Sequence, residues 1–331
     1  MQNLDWLSLT KEEIIEPDLP ICDPHHHLWD YETSRYLLDD ILEDTASGHN
    51  IVSTVFMECG SEYRSEGKEA ERPLGETEFV LDIAKTSAEN SGSKICQGIV
   101  GYADLSQGRS VENILKALLE IAPDHFKGIR HATGWHETDD VRNSHTNPSK
   151  NLMSDPVFRE GFEVLSGLGL SFDAWFYHEQ IPEFIELAKA FPETAIVLDH
   201  FGGPLGIGPY ADNLEAVFFK WQRLVEPLAN LDNVYFKLGG LNMKINGFNW
   251  HHNDMPPTSD QLVDRTQRYY DHAITLFGCE RCMFESNFPV DKDSVSYHVL
   301  WNAFKKMSHS YSSEMRADLF YGTAAKVYRL G

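Results

Sequence analysis

Short apolar runs alternate with longer amphipathic stretches along the whole 331-residue chain. A β-branched run at 51–58, bounded by Gly48 and Gly60, predicts a strand. Runs of the same kind lie at 95–101, 126–130, 170–176, 194–199, 233–238 and 281–286, and one around Leu19 and Ile21 precedes them all. Between the runs the apolar spacing becomes helical. Phe79, Val80, Ile83 and Ala84 share a stripe within 77–87, and Val111, Ile114, Leu115, Leu118, Leu119 and Ala122 form another. Asp155-Pro156 has the form of a helix start, with Gly167 and Gly169 as its stop. Pro182 opens the next helix, and Thr258-Ser-Asp-Gln261 reads as a capping box. Stretches 215–228, 297–307 and 313–330 complete the helices. Two polar segments, 61–76 and 135–151, read as loops, the first placed to cover strand ends.

Eight strands, each followed by helical pattern, predict an α/β fold, a (β/α)8 TIM barrel with long loops. A doubly wound sheet would alternate in the same way, but no G-x-G-x-x-G follows the first strand. Neither a repeat nor a linker divides the chain. Residues 1–331 therefore read as one barrel domain, with 1–18 as an N-terminal extension.

Composition narrows the function classes. There are 28 Lys and Arg against 51 Asp and Glu, a net charge of −23, which disfavours nucleic acid and anionic membranes as partners. The N-terminus lacks a signal-peptide pattern, and no apolar run is long enough to span a bilayer, so a cytoplasmic protein is expected. Cys22, Cys59, Cys96, Cys279 and Cys282 are odd in number and mostly within apolar runs, as reduced thiols would be. The Cys279/Cys282 spacing has no second pair to make a zinc motif. A homo-oligomer remains open.

In such a barrel the active site forms at the C-terminal ends of the strands. There this chain places His25 and His27, Glu58, Arg130 with His131, His178, Asp199 with His200, Lys237, and Glu285 with Asn287. Asp23, His25 and His27 stand two apart, so in an extended strand all three would point one way, an arrangement suited to a divalent cation such as zinc. Asp199 and His200 end an apolar strand, where a charge is costly to bury without a purpose. Lys237 has the plainer reading of a residue snorkelling from the barrel rim.

Five motifs in order run through these positions: Asp23-x-His25-x-His27-Leu-Trp-Asp, Gly128-Ile-Arg-His131, Leu198-Asp-His-Phe-Gly-Gly-Pro204, Val234-Tyr-Phe-Lys-Leu-Gly-Gly240 and Met283-Phe-Glu-Ser-Asn-Phe-Pro-Val290. From about Pro20 to Leu330 the chain resembles the amidohydrolase-2 family of TIM-barrel metal-dependent hydrolases, and most of all its branch of sugar-lactone and pyrone-dicarboxylate lactonases. A sister branch holds non-oxidative decarboxylases. The resemblance implies a site at the C-terminal face with a divalent metal, although some lactonases of this kind work without one. The family's eighth strand ends in Gly-Ser-Asp-Trp-Pro, with the Asp as general base. Here the run is Glu285-Ser-Asn-Phe-Pro289, so an amide, which takes no proton at neutral pH, occupies that place. Glu285, on the same strand face as Asn287, is then a replacement carboxylate, with His200 the alternative acceptor.

These readings combine into a hydrolase that opens the lactone of a small carboxylated or sugar-derived ring. His25, His27 and His200 hold a cation or grip the carbonyl directly. Asp199, His200, Glu285 and Asn287 make up the catalytic set. Arg130 offers its fork to the carboxylate of an anionic substrate, with Lys237, His131, His178 and Glu58 as further contacts. A metal-dependent decarboxylase, which needs no base for water, is the alternative. A barrel that only binds a small acid is the other.

Overall fold

The computed structural model describes residues 4–90 and 92–331. Eight parallel strands form one sheet in sequence order: β1 (Pro20–His26), β2 (Asn50–Met57), β3 (Lys94–Gly101), β4 (Phe126–Arg130), β5 (Ser171–Ala174), β6 (Ile196–Leu198), β7 (Val234–Leu238) and β8 (Cys282–Phe284). Each is followed by a helix: α1 (Leu38–Thr45), α2 (Leu74–Asn90), α3 (Glu112–Ile121), α4 (Pro156–Gly167), α5 (Ile181–Ala190), α6 (Leu214–Val225), α7 (Ser259–Phe277) and α8 (Tyr297–Met307). Just past β8 the sheet closes on β1. Asn287 N donates to His25 O (3.0 Å) and His27 N to Phe288 O (2.8 Å). The architecture is the expected (β/α)8 barrel.

Local signals act where the sequence placed them. Asp155 accepts from Val157 N and Phe158 N at the start of α4, and Thr258 and Gln261 close a capping box on α7. Segment 61–73 is loop apart from a short turn at Glu69–Glu71, and α2 begins at Leu74. The 313–330 stretch is not one helix. It runs as Ser313–Ala317, a wide turn at Asp318–Gly322, and Thr323–Val327. All five cysteines are free.

Two apolar cores sit on either side of the sheet. The larger fills the space between strands and helices. The smaller lies inside the barrel floor, where Cys22, Val55, Val100, Val197 and Met283 meet Ala324, Val327 and Tyr328 of the C-terminal segment. That segment plugs the barrel from below, so the polar residues above the plug are sealed from water on one side.

Two local departures matter for the site. β1 shifts register between Asp23 and His26, an irregularity that breaks strict alternation. Asp23 consequently does not share a face with His25 and His27, as plain alternation predicted. It turns toward the β8 end and α8, accepting from Ser286 N (2.9 Å) and from Tyr297 OH (2.9 Å). Past Phe284 the chain leaves strand geometry, and Asn287 adopts φ 56. The shared strand face expected for Glu285 and Asn287 is therefore absent. No helix among the described residues is long and apolar enough to cross a membrane.

Candidate active site

Alternation along β4 sends Arg130 and its neighbour His131 to opposite sides of the barrel wall. Arg130 points in. His131, next to it, lies behind the barrel wall between Tyr102 and Phe158, with Nδ1 facing Leu105 N (3.4 Å). His178 also stands apart, in the turn before α5, with its ring against Tyr210 and Nδ1 toward Leu205 N (3.4 Å). Burial lowers both imidazoles to about 4. The other residues expected at the strand ends, Asn287 apart, come together in one layer with Asp173, on the inward face of β5.

One part of this layer is ion-paired throughout. Arg130 Nε donates to Glu58 Oε1 (2.8 Å) and Arg130 Nη2 to the Glu58 carbonyl, while His145 Nε2 stands 3.1 Å from Glu58 Oε2. Burial pushes the Glu58 carboxyl up, but His145 and Arg130 outweigh it and hold the group down at about 2. Glu58 in turn raises His145. The Arg130 fork is thus engaged within the protein, and only Nη1 remains, 3.3 Å from His25 Nε2.

The other part gathers around Glu285. His200 Nδ1 lies 2.6 Å from Oε1 and His25 Nδ1 lies 2.8 Å from Oε2, so the carboxylate spans two imidazoles. Gly239 and Gly240 make room for this. A Cβ on Gly239 would stand 2.4 Å from Glu285 Cγ, and one on Gly240 2.4 Å from His200 Nδ1. His200 has φ 50 and Phe201 φ 58, left-handed values that non-glycine residues seldom adopt. A hydrogen bond from Trp221 Nε1 to Phe201 O (2.7 Å) holds this turn, and the Trp175 ring packs edge-on to His200 at 5.0 Å. Burial, and then Lys237, pull His25 far below its ordinary pKa. Glu285 stays below the usual carboxylate range, because His200 and His25 overcome the effect of burial.

Lys237 joins the two parts from beneath. Its Nζ lies 2.8 Å from Asp173 Oδ1, 3.1 Å from Asp199 Oδ1 and 3.2 Å from His25 Nδ1. It is fully buried and does not snorkel.

His25, His200 and Glu285 each offer a ligand atom, all within 4.8 Å of one another. His27 is not in this group. Its Nδ1 bonds Met57 O (2.8 Å) and its ring meets His25 edge-on. Of the three imidazoles expected to hold a cation, His25 and His200 converge with Glu285, and His27 stands beside them. The donors fit a divalent cation. Neutral nitrogen and an ionised carboxylate are the right types. Glu285 Oε2 and both Asp199 oxygens are buried with no aligned hydrogen-bond donor, and four buried carboxylates (Glu58, Asp173, Asp199, Glu285) face two permanent cations, Arg130 and Lys237.

Asn287 has a different setting. Its amide donates to Asp291 Oδ1 (3.0 Å), a buried carboxyl raised by desolvation to about 7, and its own Oδ1 has no donor. Sequence reasoning missed Asp173, His145 and Trp175. Asp173 carried the same signal as Asp199, a lone charge in an apolar strand. His145 carried none, since it reaches Glu58 from the polar 135–151 loop.

A TIM barrel with a buried His–Glu–His group at its C-terminal face has the placement expected of an enzyme site in this fold. The chain belongs to the amidohydrolase family, whose model matches residues 22–330. It is 34% identical to an uncharacterised Sinorhizobium fredii protein, y4mH, over 95% of this chain and 99% of that one. It is 25% identical to an L-fucono-1,5-lactonase of Burkholderia multivorans, over 93% of this chain and 95% of that one. Among solved structures, a Burkholderia multivorans amidohydrolase with bound zinc superposes with a TM-score of 0.72 at 22% identity, covering 94% of this chain and 99% of that one.

Proposed function

We propose that this protein hydrolyses the lactone of a small, sugar-derived ring. The observation that carries the reading is Glu285, an ionised carboxylate bridging His25 and His200 with one oxygen lacking an aligned donor. Glu285 takes a proton from water as the water adds to the ring carbonyl. The proton then goes to the ring oxygen as its bond to carbon breaks, giving the open hydroxy acid. His25, His200 and Glu285 would hold a divalent cation, which supplies Lewis acidity at the carbonyl oxygen. Lys237 disfavours the charged form of His25, and Asp199 lies 3.7 Å from its Nδ1. The L-fucono-1,5-lactonase likeness favours a sugar lactone. So does the Arg130 fork, which Glu58 already occupies, leaving no free bidentate partner for a substrate carboxylate.

A second reading, decarboxylation of an aromatic or muconate-like acid, is favoured by the amide of Asn287 where the family carries its base. Acid release from a panel of sugar-1,5-lactones, measured beside carbon dioxide release from aromatic acids, tests the two. Lactone-dependent acid release that Glu285→Gln abolishes supports hydrolysis. Carbon dioxide release without lactone turnover overturns it.

A further inference from the structure

The residue that fixes Lys237 comes from the far side of the barrel. Tyr328, on the C-terminal plug, is fully buried among Cys22, Val100 and Met283. Its hydroxyl donates to Asp173 Oδ1 (2.5 Å), and its ring centre lies 5.4 Å from Lys237 Nζ. Asp173 Oδ1 is the same oxygen that receives Lys237 Nζ at 2.8 Å, and Asp173 Oδ2 has no partner. A carboxylate held by only one donor can swing about its Cβ–Cγ bond. Held by two donors on one oxygen it cannot, and the ammonium it receives is held with it. The ring adds an electron-rich surface beneath the buried ammonium.

We infer that Tyr328 is a positioning residue. Its hydroxyl sets Asp173, and through it the Lys237 ammonium, against His25 and Asp199. The inference rests on the proposed site only in taking His25 as part of it. A plug with no role beyond packing would need the Tyr328 ring but not its hydroxyl, so Tyr328→Phe separates the two.

The test uses the full chain with 15N-labelled histidine, stripped of metal by a chelator. The His25 ring nitrogens, identified by their loss in His25→Gln, are recorded by long-range proton–nitrogen correlation. Tyr328→Phe stays folded with a lowered melting temperature, while the His25 Nδ1 resonance moves and, in the metal-loaded enzyme, turnover of sugar lactones falls several-fold with little change in KM. Asp173→Asn moves the same resonance as a positive control, and Tyr328→Met, which also lacks the hydroxyl, carries the test should Tyr328→Phe fail to fold. Val327→Ala, which loosens the plug beside Tyr328, lowers the melting temperature and leaves the His25 nitrogens in place. An unmoved His25 resonance in Tyr328→Phe, or an equal displacement in Val327→Ala, overturns the inference. Absence of lactone turnover in the wild type counts against the hydrolase reading alone, because the nitrogen shifts are read without substrate.

Discussion

In the Glu58–Arg130–His145 group each charge meets an opposite one at hydrogen-bond distance, whereas in the His25–Glu285–His200 group carboxylate oxygens are left without aligned donors. Both groups lie in the same layer of one barrel, buried but for His145, and Lys237 and Asp199 lie between them. Removing a charge from water is costly wherever it happens. The first group recovers that cost internally and behaves as architecture. The second recovers it only in part, and strain at His200 adds to the imbalance, as expected of groups kept ready for a ligand. Perturbed carboxylates thus do not mark the reacting centre by themselves, and the unsatisfied ones are more informative.

The sharpest contrast is in metal content. His25→Ala and His200→Ala should lose bound zinc, while His27→Ala, which lies outside the group of converging ligand atoms, should keep it. Elemental analysis after zinc loading and dialysis checks this, and equal loss in all three variants would restore His27 to the set. Next, Glu285→Gln should lower lactone turnover by about 10²–10⁴, the usual range for general-base catalysis, without loss of thermal stability. The opposite behaviour is expected of Glu58→Gln. It leaves Arg130 buried without its carboxylate and should cost about 3–5 kcal/mol in denaturant unfolding. Arg130→Lys comes below that, at about 1.5–3 kcal/mol of stability for a lost charged hydrogen bond, with KM for a lactone unchanged. A raised KM would instead show that Arg130 reaches the substrate.

The smallest effect is a pH dependence. Glu58 raises the pKa of His145 in the folded state, so the pair's contribution is fully present below the ordinary histidine value of 6.5 and is lost as pH rises through the raised one. At the acid end it is lost only as pH falls toward about 2, where Glu58 itself takes a proton. The His145 side chain is 38% exposed, so solvent screens the pair and the difference should stay below about 1 kcal/mol. Melting curves of His145→Gln and wild type should therefore differ at pH 5.5 and converge at alkaline pH. A constant gap would mean that packing, not charge, gives His145 its effect.

Much of the fold was legible because its signals are local. The eight apolar runs, the Asp155 cap and the Thr258 box depend on neighbours within a few residues, where backbone geometry alone fixes the period. Strand ends also told which residues gather, and His25, Glu58, Arg130, Asp199, His200, Lys237 and Glu285 do gather. The same alternation should have parted His131 from Arg130, since adjacent strand residues cannot face one way.

Tertiary structure decided the rest. The shift in β1 that turns Asp23 away arises from pairing with β2, and no pattern within β1 announces it. Glu285 and His200 are 85 residues apart, and Tyr328 and Asp173 are 155 apart. Whether Arg130 meets a substrate or Glu58, and whether Lys237 reaches water or is sealed above Tyr328, depends on which side chains the closed barrel brings within 3 Å or so of each other. Periodicity is a property of a short stretch of chain. Desolvation and charge pairing belong to a place in space, so the sequence determined which groups line the barrel, and only the folded chain determined which of them are left unsatisfied.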